Sequence, residues 1–224
     1  MLTEPTPFDL RMHVFRIPVR VHPSFWLLGL ILGWDPDMPQ MTLICTVCVF
    51  VSILIHELGH ALTAEAFGWR SEIVLYLFGG LAFSERWHNR TPTKDIFVSV
   101  AGPAAQFCLL PLLFATELGL AQTEFGDQIY VRAAMHYLWF INIVWPILNL
   151  MPVLPLDGGH ILQGLFELFG LRDPLAAALI VSIIVGGLLS YASYTLTGGG
   201  FGMWFIFLTI MNIQAYQQHR AQRW

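Results

Sequence analysis

Two histidines and a glutamate stand at metal-binding spacing in the run His56-Glu57-Leu58-Gly59-His60. Residues four apart lie on one face of a helix, so both imidazoles can reach a single ion while Glu57 stands beside them. In such a site Glu57 can take a proton from a metal-bound water. The alternative is a pair of histidines that only form hydrogen bonds within a helix bundle. The carboxylate between them and the apolar surroundings favour the metal site.

A second polar cluster follows a long apolar stretch and contains Asp157, with the sequence NLMPVLPLDGGH over residues 149–160. Pro152 and Pro155 cannot continue a regular helix, so we expect Asp157 on an unwound segment that protein encloses. Asp157 can then be a third metal ligand. Its alternative role is that of a helix cap or a turn residue before the two glycines.

Two neutral histidines and one carboxylate leave a fourth coordination position open for water, which is typical of a catalytic zinc site. The charges of Asp157 and Glu57 offset one Zn²⁺ per chain, so the site carries no net charge into a medium of low dielectric constant. Asn149 can donate a hydrogen bond to substrate backbone or to an oxyanion, or it can cap the broken helix. His160 and His136 are weaker candidates, and His160 is also explained as an interfacial polar residue.

The composition indicates that lipid surrounds most of the elements that position these residues. The 224 residues are 56% hydrophobic and only 12% charged, whereas soluble domains carry roughly 25% charged residues. The 17 Phe and 8 Trp exclude a disordered chain. Lys and Arg number 11 against 15 Asp and Glu, for a net charge of −4, so nucleic acid is not an expected partner.

Apolar stretches predict an all-α polytopic membrane protein with six transmembrane helices in a single membrane-embedded domain, residues 1–224. The predicted spans are residues 23–34, 41–67, 96–116, 133–151, 174–196 and 201–216. The first is short and must recruit its flanks, and the last follows the glycines at 198–200. Gly186 and Gly187 can aid helix packing, but they predict no oligomeric state.

The basic residues orient these spans. With six spans, ten basic residues fall on the side that holds both termini and only Arg132 falls opposite; the ten are Arg11, Arg16, Arg20, Arg70, Arg86, Arg90, Lys94, Arg172, Arg220 and Arg223. By the positive-inside rule we expect both termini in the cytoplasm, with the polar clusters toward that side of the cell membrane.

Residues 71–84, with the sequence SEIVLYLFGGLAFS, are too short for a span and are rich in β-branched and aromatic residues. Gly79 and Gly80 interrupt them. We expect a short membrane-associated β-hairpin or a re-entrant segment near residues 71–84, whose edge can bind an unwound substrate. The alternative is an apolar loop that only packs on the bundle.

Three features together resemble the site-2 protease family of intramembrane zinc metalloproteases. They are the HELGH run inside a span, the NxxPxxPLDGG pattern of residues 149–159, and Ala101-Gly102-Pro103 at the opening of the third span. The resemblance implies zinc held by His56, His60 and Asp157, with Glu57 as the catalytic carboxylate and a transmembrane protein as substrate. The family often has Asn where this chain has Gln106, and many members add a PDZ or nucleotide-sensing domain.

Two other functions remain open from the residues alone. An ion or solute transporter also places charged residues in spans and breaks helices with Pro and Gly, but it needs no HExxH spacing. A catalytically inactive, membrane-binding relative of the protease would keep the shape without the chemistry. The presence of all four core residues favours the enzyme over this second alternative.

Overall fold

Helices make up most of the chain. A computed structural model describes residues 4–84, 89–197 and 202–222. In chain order the elements are β1 (Leu10–Val14), β2 (Ile17–Val21), α1 (Phe25–Gly33), α2 (Pro39–Ala66), β3 (Ser71–Tyr76), β4 (Gly79–Ser84), α3 (Pro92–Leu120), a 3₁₀ turn (Glu124–Asp127), α4 (Ile129–Asn149), α5 (Asp157–Leu168), α6 (Pro174–Thr197) and α7 (Gly202–Ala221).

Four helices in the described ranges are long and apolar enough to cross a membrane. They are α2, α3, α4 and the Pro174–Leu196 part of α6. These helices match four predicted spans, at residues 41–67, 96–116, 133–151 and 174–196, to within four residues at either end. In length and composition the chain therefore fits an integral membrane protein.

The first and last predicted spans are not confirmed. Helix α1 has nine residues and rises about 14 Å, less than half of the roughly 30 Å hydrocarbon core. Helix α7 has 20 residues, but its final turns carry Gln217, Gln218, His219 and Arg220. The predicted start of this span at Phe201 and the glycines at 198–200 lie outside the described residues.

A four-stranded sheet with the order β1-β2-β3-β4 corrects the prediction of an all-α fold. Strands β3 and β4 pair antiparallel from Ser71↔Ser84 to Tyr76↔Gly79, within the segment where a hairpin or re-entrant turn was expected. Membrane association of this hairpin stays a prediction. Strands β1 and β2 were not expected at all, although Ile17, Val19 and Val21 alternate with more polar residues in the manner of a strand that is buried on one face.

The described residues divide into two units, one within residues 1–89 and 101–147 and the other within residues 90–100 and 148–224. In the first unit, one face of the sheet packs on α2. The buried core contains Ile17, Val19 and Val21 of β2, Ile73 and Leu75 of β3, and Val49, Ile53 and Ala61 of α2. This packing fixes the sheet against the half of α2 that carries the HExxH sequence.

In the second unit, α6 packs along α7. Gly186 permits the approach, because a Cβ at that position would lie 2.5 Å from the Oγ1 of Thr209. Val153 is buried against Phe205 and Leu208 of α7, and Leu154 is buried against Ala178 and Leu179 of α6. The residues between α4 and α5 therefore belong to the core of this unit.

Glycines let α1 lie directly on α2. A Cβ at Gly29 would stand 2.6 Å from the Oγ1 and 2.8 Å from the Cα of Thr46, while a Cβ at Gly187 in α6 would meet nothing within 4 Å. We expect Gly29→Ala to lower the free energy of unfolding by about 1–3 kcal/mol because the added methyl overpacks the contact. The matched variant Gly187→Ala should retain or slightly gain stability. Thermal unfolding in detergent compares the two, and equal midpoints would contradict the close contact.

Candidate metal centre

The two histidines of the HExxH sequence meet on one buried face of α2. His56 is 2% exposed, His60 is 7% exposed and Glu57 is 4% exposed. The Nε2 atoms of the two imidazoles are 3.1 Å apart, and the rings stand nearly perpendicular with centroids 4.7 Å apart. Both Nε2 atoms therefore face the same small region, as two ligands of one ion must.

Helix α3 approaches α2 closely at this face because glycines line the contact. A Cβ at Gly59 would overlap the backbone carbonyl of Ala101, and a Cβ at Gly102 would overlap the imidazole of His60. Gly102 is thus required by packing beside the imidazole of His60. One helical turn further along α3, Gln106 contacts the Nδ1 of His56 at 2.9 Å.

Asp157 is the first residue of α5 and not part of an unwound segment as predicted. The non-helical stretch ends at Leu156. Asp157 can favourably occupy the first turn of the helix, because the macrodipole stabilises a negative charge there. Gly158 follows at a tight approach, since a Cβ there would overlap the Leu150 carbonyl.

Two buried side chains anchor the non-helical residues before Asp157. The Oγ of Ser182 accepts a hydrogen bond from the Leu154 amide at 2.9 Å. The Nδ2 of Asn212 donates to the Leu154 carbonyl at 2.6 Å. The backbone that breaks the helix thereby satisfies its polar groups inside protein, which a membrane environment demands. These bonds hold the start of α5, and with it Asp157, in a defined place.

His56, His60 and Asp157 are a group of residues that could hold a metal ion, each with one ligand atom. Asp157 is partly buried, while both histidines are buried. Two imidazole nitrogens and one carboxylate oxygen are a donor set that suits a transition-metal ion and leaves one position of a tetrahedron open. The residues therefore fit a resident metal ion.

Strand β4 lies against Glu57. A Cβ at Gly80 would stand 2.5 Å from the Glu57 Oε1, and a Cβ at Gly79 would stand 2.6 Å from Trp145 of α4. Gly79 also has a φ of +116°, which favours glycine. Burial raises the pKa of Tyr76, and the charge of Glu57 raises it further. The Tyr76 phenol therefore stays protonated at neutral pH and remains a hydrogen-bond donor.

The other predicted residues lie at helix ends or on exposed surfaces. Asn149 is the last residue of α4 and is half-buried; its role toward substrate stays a prediction. His160 on α5 and His136 on α4 are exposed. Within the described ranges, neither belongs to the group of potential metal ligands.

Ser52 and Asn142 are buried polar residues beside this site that the sequence analysis did not single out. Two signals pointed to them. Ser52 precedes His56 by one helical turn, and Asn142 is an amide in the middle of an apolar span, where polar groups are costly. Gln106 was noted only as a departure from the more common Asn.

The sequence profile of peptidase family M50 matches residues 44–130 and 117–192. The chain belongs to peptidase family M50. This match confirms the resemblance to the site-2 protease family that HELGH and the pattern at residues 149–159 indicated.

Curated relatives of this M50 chain carry related names. A putative zinc metalloprotease of Synechocystis sp. is 39% identical over 170 residues, which cover 68% of this chain and 42% of that relative. Stage IV sporulation protein FB of Bacillus subtilis is 34% identical over 155 residues, covering 67% of this chain and 48% of the relative. The chain thus spans less than half the length of these two proteins.

The solved structure of the site-2 protease from Methanocaldococcus jannaschii shares the fold of this M50 chain. The two superpose with a TM-score of 0.64 over 93% of this chain and 95% of the other, at 21% sequence identity. At that identity the likeness concerns the fold alone.

The overlap at Gly102 predicts a metal-binding defect. In Gly102→Ala the new methyl competes with the His60 ring for the same space, so the imidazole must turn away from His56. We expect at least a tenfold loss of metal affinity, as is typical when the orientation of a ligand is disturbed. Gly119→Ala, whose Cβ meets nothing within 4 Å, is the matched control on α3. Metal content after dialysis against a chelator series measures both, and equal retention would contradict the contact.

Proposed function

We propose that this chain is an intramembrane zinc metalloprotease that hydrolyses a peptide bond in or near the transmembrane segment of a membrane-protein substrate. The observation that carries the proposal is the pair of imidazoles of His56 and His60, whose Nε2 atoms are 3.1 Å apart, beside the buried Glu57; Asp157 completes the group of residues that could hold a metal ion. Membership in peptidase family M50 and the names of the curated relatives support the same activity.

In this proposal His56, His60 and Asp157 hold one zinc ion. When bound, zinc lowers the pKa of a coordinated water toward 7 and polarises the scissile carbonyl. The two imidazoles bind as neutral ligands, while the carboxylates of Asp157 and Glu57 balance the charge of the ion. This balance favours a buried site, because an uncompensated charge in a medium of low dielectric constant is costly.

Glu57 acts as general base and then as general acid. Its place next to His56 in the HExxH sequence puts the carboxylate beside the ligand face of α2. It accepts the proton of the attacking water and delivers it to the leaving amine. Asn149, at the end of α4, is proposed to hydrogen-bond substrate backbone or the oxyanion.

A substrate helix must unwind before its amide can react, and β4 is the proposed strand that binds the extended segment. The sheet order leaves β4 at one end of the sheet in the described part of the chain. Strand β3, by contrast, pairs with both β2 and β4 and has no open edge for a substrate. Gly80 places the backbone of β4 directly over Glu57, so a peptide added to this strand would lie near the carboxylate.

We infer that the termini and the site face the cytoplasm in a cell membrane. The distribution of basic residues supports this orientation. Strand β2 pairs in parallel with β3 through Val19 and Ile73. The arginine-rich N-terminal strands therefore lie next to the segment that follows Arg70.

The transporter and the inactive relative are the competing functions. A transport pathway does not require two imidazoles with facing Nε2 atoms, and a binding protein does not require a buried Glu57 against a sheet edge. Both features favour hydrolysis over either alternative.

The substitution Glu57→Gln tests the proposal. We expect zinc to remain at about one ion per chain and cleavage to fall by at least about 10²-fold, because the amide cannot accept the water proton. Glu65→Gln on the exposed side of α2 is the matched control and should leave cleavage unchanged. Metal analysis of the purified proteins is paired with a comparison of membrane proteomes from cells that express wild type or variant, scoring single-span proteins that become shorter.

Absence of bound zinc in the wild type would contradict the enzyme and favour the transporter or the inactive relative. Identical substrate cleavage by the wild type and Glu57→Gln would contradict the role of Glu57 as the base.

A further inference from the structure

A chain of buried amides leads from the interior of the helix bundle to a proposed zinc ligand. The side chains of Gln106, Asn142 and Ser52 are completely buried. The Nε2 of Gln106 lies 3.3 Å from the Ser52 carbonyl oxygen and 3.2 Å from the Asn142 Oδ1. The Nδ2 of Asn142 lies 2.8 Å from the Ser52 Oγ and 2.9 Å from the Leu138 carbonyl oxygen.

Two backbone carbonyls fix the direction of every hydrogen bond among these buried side chains. The carbonyls of Ser52 and Leu138 can only accept, so the groups that face them must be the NH₂ ends of Gln106 and Asn142. Rotating the Gln106 amide by 180° would set its oxygen against the Ser52 carbonyl, which would leave two buried acceptors facing each other. The Oε1 of Gln106 therefore faces His56.

This orientation determines the tautomer of His56. The Nδ1 of His56 lies 2.9 Å from the Gln106 Oε1, and an amide oxygen can only accept. Nδ1 must therefore carry the proton, and in a neutral imidazole Nε2 then keeps its lone pair. That same Nε2 faces the His60 Nε2 at 3.1 Å. The hydrogen-bond chain thus presents the unprotonated nitrogen to the proposed metal position.

We propose that Gln106 is a positioning residue that sets the tautomer and ring orientation of His56 for zinc binding. The inference rests on the proposed function, because it concerns a ligand of the same ion. Gln106 acts through His56 and has no assigned contact with the substrate. A partner on the second nitrogen of a metal-binding histidine is a general means of raising metal affinity.

Matched helical spacing explains why this residue stands in α3. Gly102 of α3 lies against His60 of α2. Gln106 lies one turn later on α3 and contacts His56, which lies one turn earlier on α2. The close approach at Gly102 brings the two helix faces into register, so a side chain of glutamine length reaches the imidazole. An amide in this position adds no charge, whereas a carboxylate partner would place a buried charge against His56.

Gln106→Met tests the role, because methionine has a similar length but no oxygen acceptor. We expect zinc affinity to fall about 10–100-fold, the usual effect of losing such a partner. Gln106→Asn keeps an amide acceptor on a shorter side chain, so its zinc affinity should lie between those of wild type and Gln106→Met. Thr46→Val is the control for loss of a buried hydrogen bond elsewhere on α2, since the Thr46 hydroxyl donates to the Thr42 carbonyl. It should leave zinc affinity unchanged. Competition with a zinc chelator measures all four proteins in detergent.

A spectroscopic measurement on the wild type gives a result even if Gln106→Met does not fold. In zinc-loaded protein labelled with ¹⁵N-histidine, we expect a protonated Nδ1 and a metal-bound Nε2 for His56. An unprotonated Nδ1 at His56 would overturn the proposal. Equal zinc affinity of wild type and Gln106→Met would overturn it while the proposed protease function stands. A wild-type protein that binds no zinc would overturn both.

Discussion

Charged groups can remain in a membrane interior only when their charges and hydrogen bonds are compensated within the protein. This constraint explains most of the features near residues 56–60. The imidazoles of His56 and His60 face each other through Nε2. The remaining nitrogen of His56 has an amide partner whose own donors are in turn satisfied. A buried polar network that is complete in this way orders its members, because any rotation would leave an unpaired group in a region of low dielectric constant.

Close backbone contact makes this compensation possible. Glycines at positions 59 and 102 let α3 pass α2 without intervening side chains, so polar groups on the two helices lie within hydrogen-bonding distance. Gly80 brings the edge of the sheet over Glu57 in the same manner. In the second unit, Ser182 and Asn212 satisfy both polar groups of the Leu154 backbone where no helix can. Small residues and a few buried hydrogen bonds thus fix the positions of polar groups within each unit.

The sequence predicted the protein family and the long helices better than it predicted the local structure. The spacing of His56 and His60 and the long apolar stretches were sufficient for the ligand face and for four spans, because both depend on local periodicity. The sheet was only half predicted. Strands β1 and β2 lie in a segment with arginines and short alternation, and Val19 of β2 pairs with Ile73 of β3, which lies 54 residues later. Asp157 was expected in an unwound segment because prolines precede it, but helix α5 begins at this residue. The role of Gln106 depends on contacts between helices that no sequence pattern contains.

The most direct test of the account is to locate zinc by anomalous X-ray scattering in crystals of the zinc-loaded wild-type protein. The account predicts one zinc ion per chain at about 2.0–2.2 Å from the Nε2 of His56, the Nε2 of His60 and one carboxylate oxygen of Asp157. A zinc ion bound elsewhere, or held by the two histidines while the Asp157 carboxylate lies beyond bonding distance, would contradict it.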